Sequence, residues 1–407
     1  MLLANNGFLN DVHSAASGKG MPGVRALGTT ILCESTDPEN IRVGIDQVLD
    51  DIIGALTNPL TDEEKSPEVK TETEPKIAFK GSYDQVNQFY YRKGWGDGLP
   101  ITPPSQERVD EMMKGTDLPP DHVVTKLIPR MGKATIEKIA VNAVMAGALP
   151  THMPVLIAAV DALSDPKTRF DTFEVSTGSW APLLIINGPV RNDIHVNCSS
   201  GMMSPGNIAN AAIGRALGLI VKNIGGARKA IEDMGTLGDP LKYTLVIGEN
   251  EENSPWEPLN VEFGYEKGSS TVTVMFPNRY AQTIPAQTTA EGIAATLAGM
   301  NPTALSTMIV IPDHANRFAS EGWSKQKVKD FIIEKSHGSG VLRRGGGNLK
   351  NEDFAIVVAG GPGVWMGLFQ SAGNFGNYFV TREIKFPENW DILKAKYGTM
   401  VPTYVRY

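Results

Sequence analysis

The residues best suited to chemistry in this 407-residue chain gather in HVNCSSGMMSPGNIANAAIGRALGLI, residues 195–220. A polar, glycine-rich loop runs there into a helical pattern that Ser204 or Asn207 can cap, and Pro205 suits a first turn. Uncovered N–H groups at a helix start attract anions. Gly206, Asn207 and Asn210 are therefore candidates to hold a phosphate or carboxylate, and Arg215, two turns on, adds charge and a bidentate grip. An ordinary capped helix, with Asn210 and Arg215 only packing, fits the same residues. Cys198 follows His195 by three positions and is a candidate nucleophile if an imidazolium or the helix start stabilises its thiolate. Odd offsets along an extended chain face apart, so a buried thiol is the alternative reading.

Other candidates are scattered. In KGWGDGLPITPP (93–104) Asp97 sits among three glycines, where it can be aimed into a cleft as a base or metal ligand, or close an Asx-turn. GENEENSPWEP (248–258) follows a strand, and strand ends are where α/β sheets hold ligands, which makes Glu249 a substrate-binding candidate and Glu252 a lesser one. His314, in PDHANRFASEGW, can move protons near neutrality or sit as a structural residue at a helix boundary. GGPG (360–363) and RRGGGN (343–348) lack nucleotide-loop spacing and read as substrate loops. The six histidines show no metal-ligand spacing, so any metal site must combine distant segments, and both metal and cofactor are unknown at this point.

The elements that must position these groups alternate. PLLIINGP, YTLVIGEN, TVTVMF, TMIVIP and FAIVVAGG read as strands, with helices expected near 207–222, 289–299 and 324–335, a helix–turn–helix over 134–163, and further helices at 82–93 and 105–114. This is an α/β fold with mixed or parallel sheets flanked by helices. Ahead of it, LGTTILC (27–33) reads as one strand and 41–57 as one amphipathic helix. The chain divides into a partial α/β segment (1–58), a proline- and charge-rich linker (59–80) and a main α/β region (81–407), with room for two subdomains.

Composition excludes several classes. Hydrophobic residues make up 41% and charged residues 20%, a globular balance. A net charge of -7 without basic stripes argues against nucleic acid. No basic start with an apolar core and no long apolar run occurs, so neither export nor a membrane is expected, and the location expected is cytoplasmic. The two cysteines, Cys33 and Cys198, allow no disulfide framework or thiolate zinc site.

Several of these stretches are shared with a known family. GWGDGLPITPPSQERV, MGKATIEKIAVNAVMAGALP, PLLIINGP, NCSSGMMSPGNIANAAIGRA, GENEENSPWEPL and DHANRFASEGWSK together resemble the C-terminal region of the UGSC family of (seleno)proteins, over about residues 82–385. The resemblance implies thiol- or selenol-assisted chemistry, which in that family belongs to an N-terminal α/β domain carrying Sec-Gly-Ser-Cys or Cys-Gly-Ser-Cys. This chain has neither motif, and residues 8–57 resemble only the last βα part of that domain. A separate small subunit carrying the motif is the expected completion. It would also cover the otherwise orphaned strand and helix of 27–57.

Three functions follow as expectations. The first is a subunit of a heteromeric enzyme that holds a small anionic organic substrate against a thiol or selenol on a partner chain. Arg215 and the Gly206–Asn210 helix start would bind the anion there, and Asp97 or His314 would move protons. The second is a lyase or hydratase without a redox thiol, with or without a metal. The third is a non-catalytic scaffold subunit.

Overall fold

A computed structural model describes residues 1–67, 77–302, 305–337, 349–371 and 378–401. The RRGGGN stretch lies outside the described residues.

The N-terminal segment is a βαβ unit, richer than one strand and one helix. β1 (Leu2–Asn5) lies parallel to β2 (Ala26–Thr29), joined by the helix Leu9–Gly18. The strand read over 27–33 is confined to β2, and the single helix read over 41–57 is two, Pro38–Asp46 and Leu49–Thr57. Asp37 caps the first of these by accepting from the Glu39 N–H, with Pro38 in its first turn. The unit docks through Ser14, whose hydroxyl donates to Glu232. Arg25 ties residues 55–64 back onto it, pairing with Glu64 at 2.6 Å and donating to the carbonyls of Ala55, Asn58 and Pro59. Leu2, Leu32, Ile53 and Leu56 stay exposed.

The main region opens with the helices Tyr83–Arg92 and Gln106–Met113 and a hairpin, β3 (Val123–Leu127) against β4 (Gly132–Thr135). The helices Ile136–Ala146 and Met153–Leu163 follow, the first ended by Gly147 in the left-handed region that glycine accepts without strain. Two four-stranded sheets come next. β5 (Leu183–Asn187), β6 (Val246–Gly248) and β7 (Thr271–Met275) belong to one sheet, while β8 (Arg279–Thr283), β9 (Ser306–Val310), β10 (Phe354–Val358) and β11 (Met366–Gln370) make the other. β12 (Val380–Glu383) returns to the first. Spatial order is β12-β7-β5-β6 in one and β10-β9-β11-β8 in the other. Each has one parallel pair, β5 with β6 and β9 with β10, and antiparallel pairing elsewhere. The sheets are mixed; the chain passes from β7 to β8, an edge strand of the second sheet, and after completing that sheet returns with β12 to the edge of the first.

Alternation of side chains explains why the central strands are apolar throughout. Leu184, Ile186, Val272 and Val274 pack with the helices Ile136–Ala146, Met153–Leu163 and Ile208–Ile220. Met308, Val310, Ile356 and Val358 pack with Ala290–Gly299, Pro312–Ser320 and Lys325–His337. The intervening residues Leu183, Ile185, Ile247, Met275, Ile309, Val357 and Phe369 form a third core between the two sheets. The layers therefore run helix, sheet, sheet, helix. No helix among the described residues is long and apolar enough to cross a membrane.

Candidate functional site

The helix Ile208–Ile220 can lie close to its neighbours because glycines face them. A Cβ on Gly214 would strike Thr244, and one on Gly218 would crowd the Lys242 carbonyl. Its last turns staple the GWGDGLP loop in place. Arg215 grips Asp97 through Nε at 2.7 Å and Nη2 at 2.9 Å, and Nη2 also donates to the Pro100 carbonyl. Lys222 donates to the Gly96 carbonyl and Asn223 to that of Trp95. Gly94 and Gly98 have φ of 68° and 97°, which only this residue type adopts freely. Asp97 also accepts from the Leu99 N–H, closing an Asx-turn.

Arg215 and Asp97 thereby reach a cavity of 470 Å³, within the range of small-molecule sites. Lys222, Lys229, Lys242, Asp233 and Glu174 also line it. Asp233 is paired with Lys242 at 2.6 Å. Four cations face two paired carboxylates, a local balance of +2 before Glu174 is counted. Glu174 is 6% exposed, and its carboxyl takes no hydrogen bond among the described residues. Burial pushes its carboxyl up to about 8; Lys242 pulls the other way, and Asp233 adds to the rise. Glu174 is thus a protonated carboxyl at neutral pH that can give or take a proton. Burial works to raise Asp97 as well, but its two bonds from Arg215 win and hold it below the ordinary carboxylate range, which makes it a weak base. Burial lowers the Lys222 ammonium, against the pull of Asp97.

The other sequence candidates lie elsewhere. Gly206 is exposed with φ of 138°, and Asn207 occupies the N-cap position without capping any N–H. Pro205 precedes that cap by two residues and lies outside the first turn. The helix start opens on a crevice of 10 Å³ beside His195 and His152, room for about one water, and Arg215 is about 10 Å further along the helix. The helix start and Arg215 therefore do not form one anion site. Asn210 is buried and consumed by the loop it anchors: it accepts from the Asn197 N–H at 2.8 Å and donates to the carbonyls of Asn197, Met202 and Val246.

Cys198 is not paired with His195, whose Nε2 donates to the Gly398 carbonyl at 2.7 Å. The thiol instead donates to the Val196 carbonyl and lies 3.6 Å from Arg191. Burial raises it, with Arg191 opposing, and the net effect keeps it a thiol. Cys33 is exposed. Iodoacetamide at neutral pH should label Cys33 at least about tenfold faster than Cys198, checked by peptide mass spectrometry, and comparable rates would show an activated Cys198.

Glu249 is fully buried at the end of β6, accepting from Asn187 at 2.6 Å and from the Leu259 N–H at 2.8 Å, with Lys325 at 3.9 Å. It joins elements and reaches neither cavity lining. His314 is 5% exposed, its Nδ1 without a partner among the described residues, and burial keeps it neutral against the opposing pull of Asp313. No group of three His, Cys, Asp or Glu residues able to hold a metal ion occurs among the described residues.

Sequence reasoning passed over Glu174, Lys222, Lys229, Asp233 and Lys242. Each stands alone among ordinary neighbours, and only the fold converges them. It also passed over Arg191, a charged residue just after the Gly188-Pro189 turn, which the strand before it should bury. Comparison with family models, with curated proteins and with solved structures yields no match to this chain.

Proposed function

We propose that this chain is a subunit of a heteromeric enzyme that holds a small anionic organic substrate in the Arg215–Lys222–Lys242 cavity, with Glu174 exchanging a proton with it. The observation that carries this reading is one buried, partnerless carboxyl facing a cavity where cations outnumber paired carboxylates. An excess of fixed cations favours an anion, and a carboxyl titrating near neutrality suits proton transfer at working pH.

A partner chain supplies the thiol or selenol in this reading, which the resemblance to the UGSC family supports. Two further observations fit. A two-stranded parallel sheet with exposed leucines is not a finished structure, since parallel strands are ordinarily covered on both faces. The helix Leu9–Gly18 also touches Glu232, the neighbour of the cavity residue Asp233, so a chain completing this unit would stand beside the cavity. Hydrogen exchange over residues 1–57 should slow when a small subunit bearing Cys-Gly-Ser-Cys or its selenocysteine form is added. Unchanged exchange together with no co-purification would dismiss that partner. A lyase or hydratase without a redox thiol remains a second reading, favoured by the protonated state of Glu174, since an acid is what expulsion of a hydroxyl requires.

Calorimetric titration with mono-, di- and tricarboxylates tests the anion site. Binding should be saturable, weaken as salt is raised, and fall about tenfold or more in Lys242→Ala, the loss of one charge-assisted contact. Failure of every anion to bind at low salt would overturn the reading.

A further inference from the structure

A second and larger cavity, of 720 Å³, opens where the layer between the two sheets ends. Two glycine-rich loops enclose it, residues 199–205 and 360–363. They are fastened together: the Gly360 N–H donates to the Cys198 carbonyl at 2.9 Å, and any side chain on Gly361 would collide with Ser200. Asp313 accepts from the Gly363 N–H and steadies the far end. The cavity is therefore formed before any ligand arrives.

Its lining is uncharged and largely apolar. Met202, Met203, Leu245, Tyr280, Ile309 and Trp365 supply apolar and aromatic surface, and no charged side chain lines it. Tyr280 is held rigid by stacking on Phe369 at 4.6 Å between centroids. Trp365 is 57% exposed and Met203 38% exposed at the same cavity, so large apolar groups meet water there that an occupant would cover. Ser199, Ser200 and Ser204 add uncharged hydroxyls. The segment 241–245 is a shared wall, with Leu241, Thr244 and Leu245 on this cavity and Lys242 and Tyr243 on the cationic one.

We infer that this cavity is a second ligand site, separate from the cationic one, for a neutral molecule that carries an aromatic ring. A charged ligand would leave water without meeting a counter-charge there. A flat ring can stack on Tyr280 and Trp365, and the methionine sulfurs are favourable neighbours for it. At 720 Å³ the site takes one molecule of ordinary cofactor or metabolite size.

Nile red, a neutral aromatic dye whose emission rises in apolar surroundings, is the probe. Titration of the folded chain should saturate at one dye per chain and stay unchanged at about 0.5 M NaCl, where an ion-driven contact weakens. Trp365→Ala removes an exposed wall and Ala211→Trp fills the space from an exposed helix position, so both variants should fold. Each should weaken dye binding about tenfold or more, the scale of one lost aromatic contact. Lys242→Ala should leave it unchanged, which separates this site from the anion site. Absence of saturable binding, or binding indifferent to both Trp365→Ala and Ala211→Trp, would overturn the inference.

Discussion

Replacing Arg191 by alanine should destabilise the protein by about 2–3 kcal/mol, the cost of leaving buried acceptors unpaired, since the ion pair with the half-exposed Glu252 is screened by water and adds little. Arg191 is 2% exposed and spends its donors on the Gly188 and Glu249 carbonyls and on Glu252, at 3.0 and 3.1 Å, with Glu251 also at 3.1 Å. Removal would leave the Gly188 and Glu249 carbonyls unpaired, return the half-exposed Glu252 to water, and open a hole behind the ends of β5 and β6. Lysine should restore only part of the loss, because an ammonium cannot span the same fork. Burial works to raise Glu252, but bonds from Arg191 and Asn192 bring it down to about 2. Its folded value lies below its unfolded one, so this contribution is whole above the ordinary carboxylate pKa and fades as pH falls toward about 2. Urea midpoints for the wild type, Arg191→Ala and Arg191→Lys at neutral pH measure the effect. A shift under about 1 kcal/mol would mean that water replaces Arg191 at the Gly188 and Glu249 carbonyls.

Glu174→Gln should act in the opposite direction at alkaline pH. A carboxyl raised to about 8 is easier to ionise in the unfolded chain, so wild-type stability should fall as pH climbs from the ordinary carboxylate range to about 8 and then level off. Glutamine keeps the shape without the titration. The variant should therefore gain on the wild type across that window, by on the order of 5 kcal/mol at its upper end. Below the ordinary pKa the two should match. Chemical denaturation at pH values on both sides of the window gives the comparison, and parallel stability curves would show that Glu174 titrates normally. Should turnover be found, the same substitution should abolish the limb of the pH profile near 8.

The layered core was readable because its strands are short runs of apolar and β-branched residues. LLIIN, TVTVM and FAIVV are buried on both faces, and the threonines in TVTVM suit a strand as well as valine does. β8, with the sequence RYAQT, and β12, VTRE, escaped for the opposite reason. They are edge strands with half-wet faces, and what makes them strands is a neighbour far away in sequence. The break at Gln47 and Val48 is invisible to periodicity, since both helices keep nearly the same apolar phase. At the site, Asp97 and Arg215 each stood out, but they lie 118 residues apart and their mutual grip was not visible. Glu174 stood out least, because a carboxyl's titration is set by what surrounds it. Phe170 and Phe173, just before it, are buried against Phe276.

The returning edge strand β12 makes the two sheets behave as a clasp. A backbone cut at Pro277 would give a first fragment lacking its outermost strand and a second carrying one too many, so the pieces should recognise each other by strand donation. The same clasp prevents the halves from swinging apart like jaws while β12 stays laddered to β7. Access to the space between the sheets is therefore through the cavity already open at its rim, without any parting of the halves.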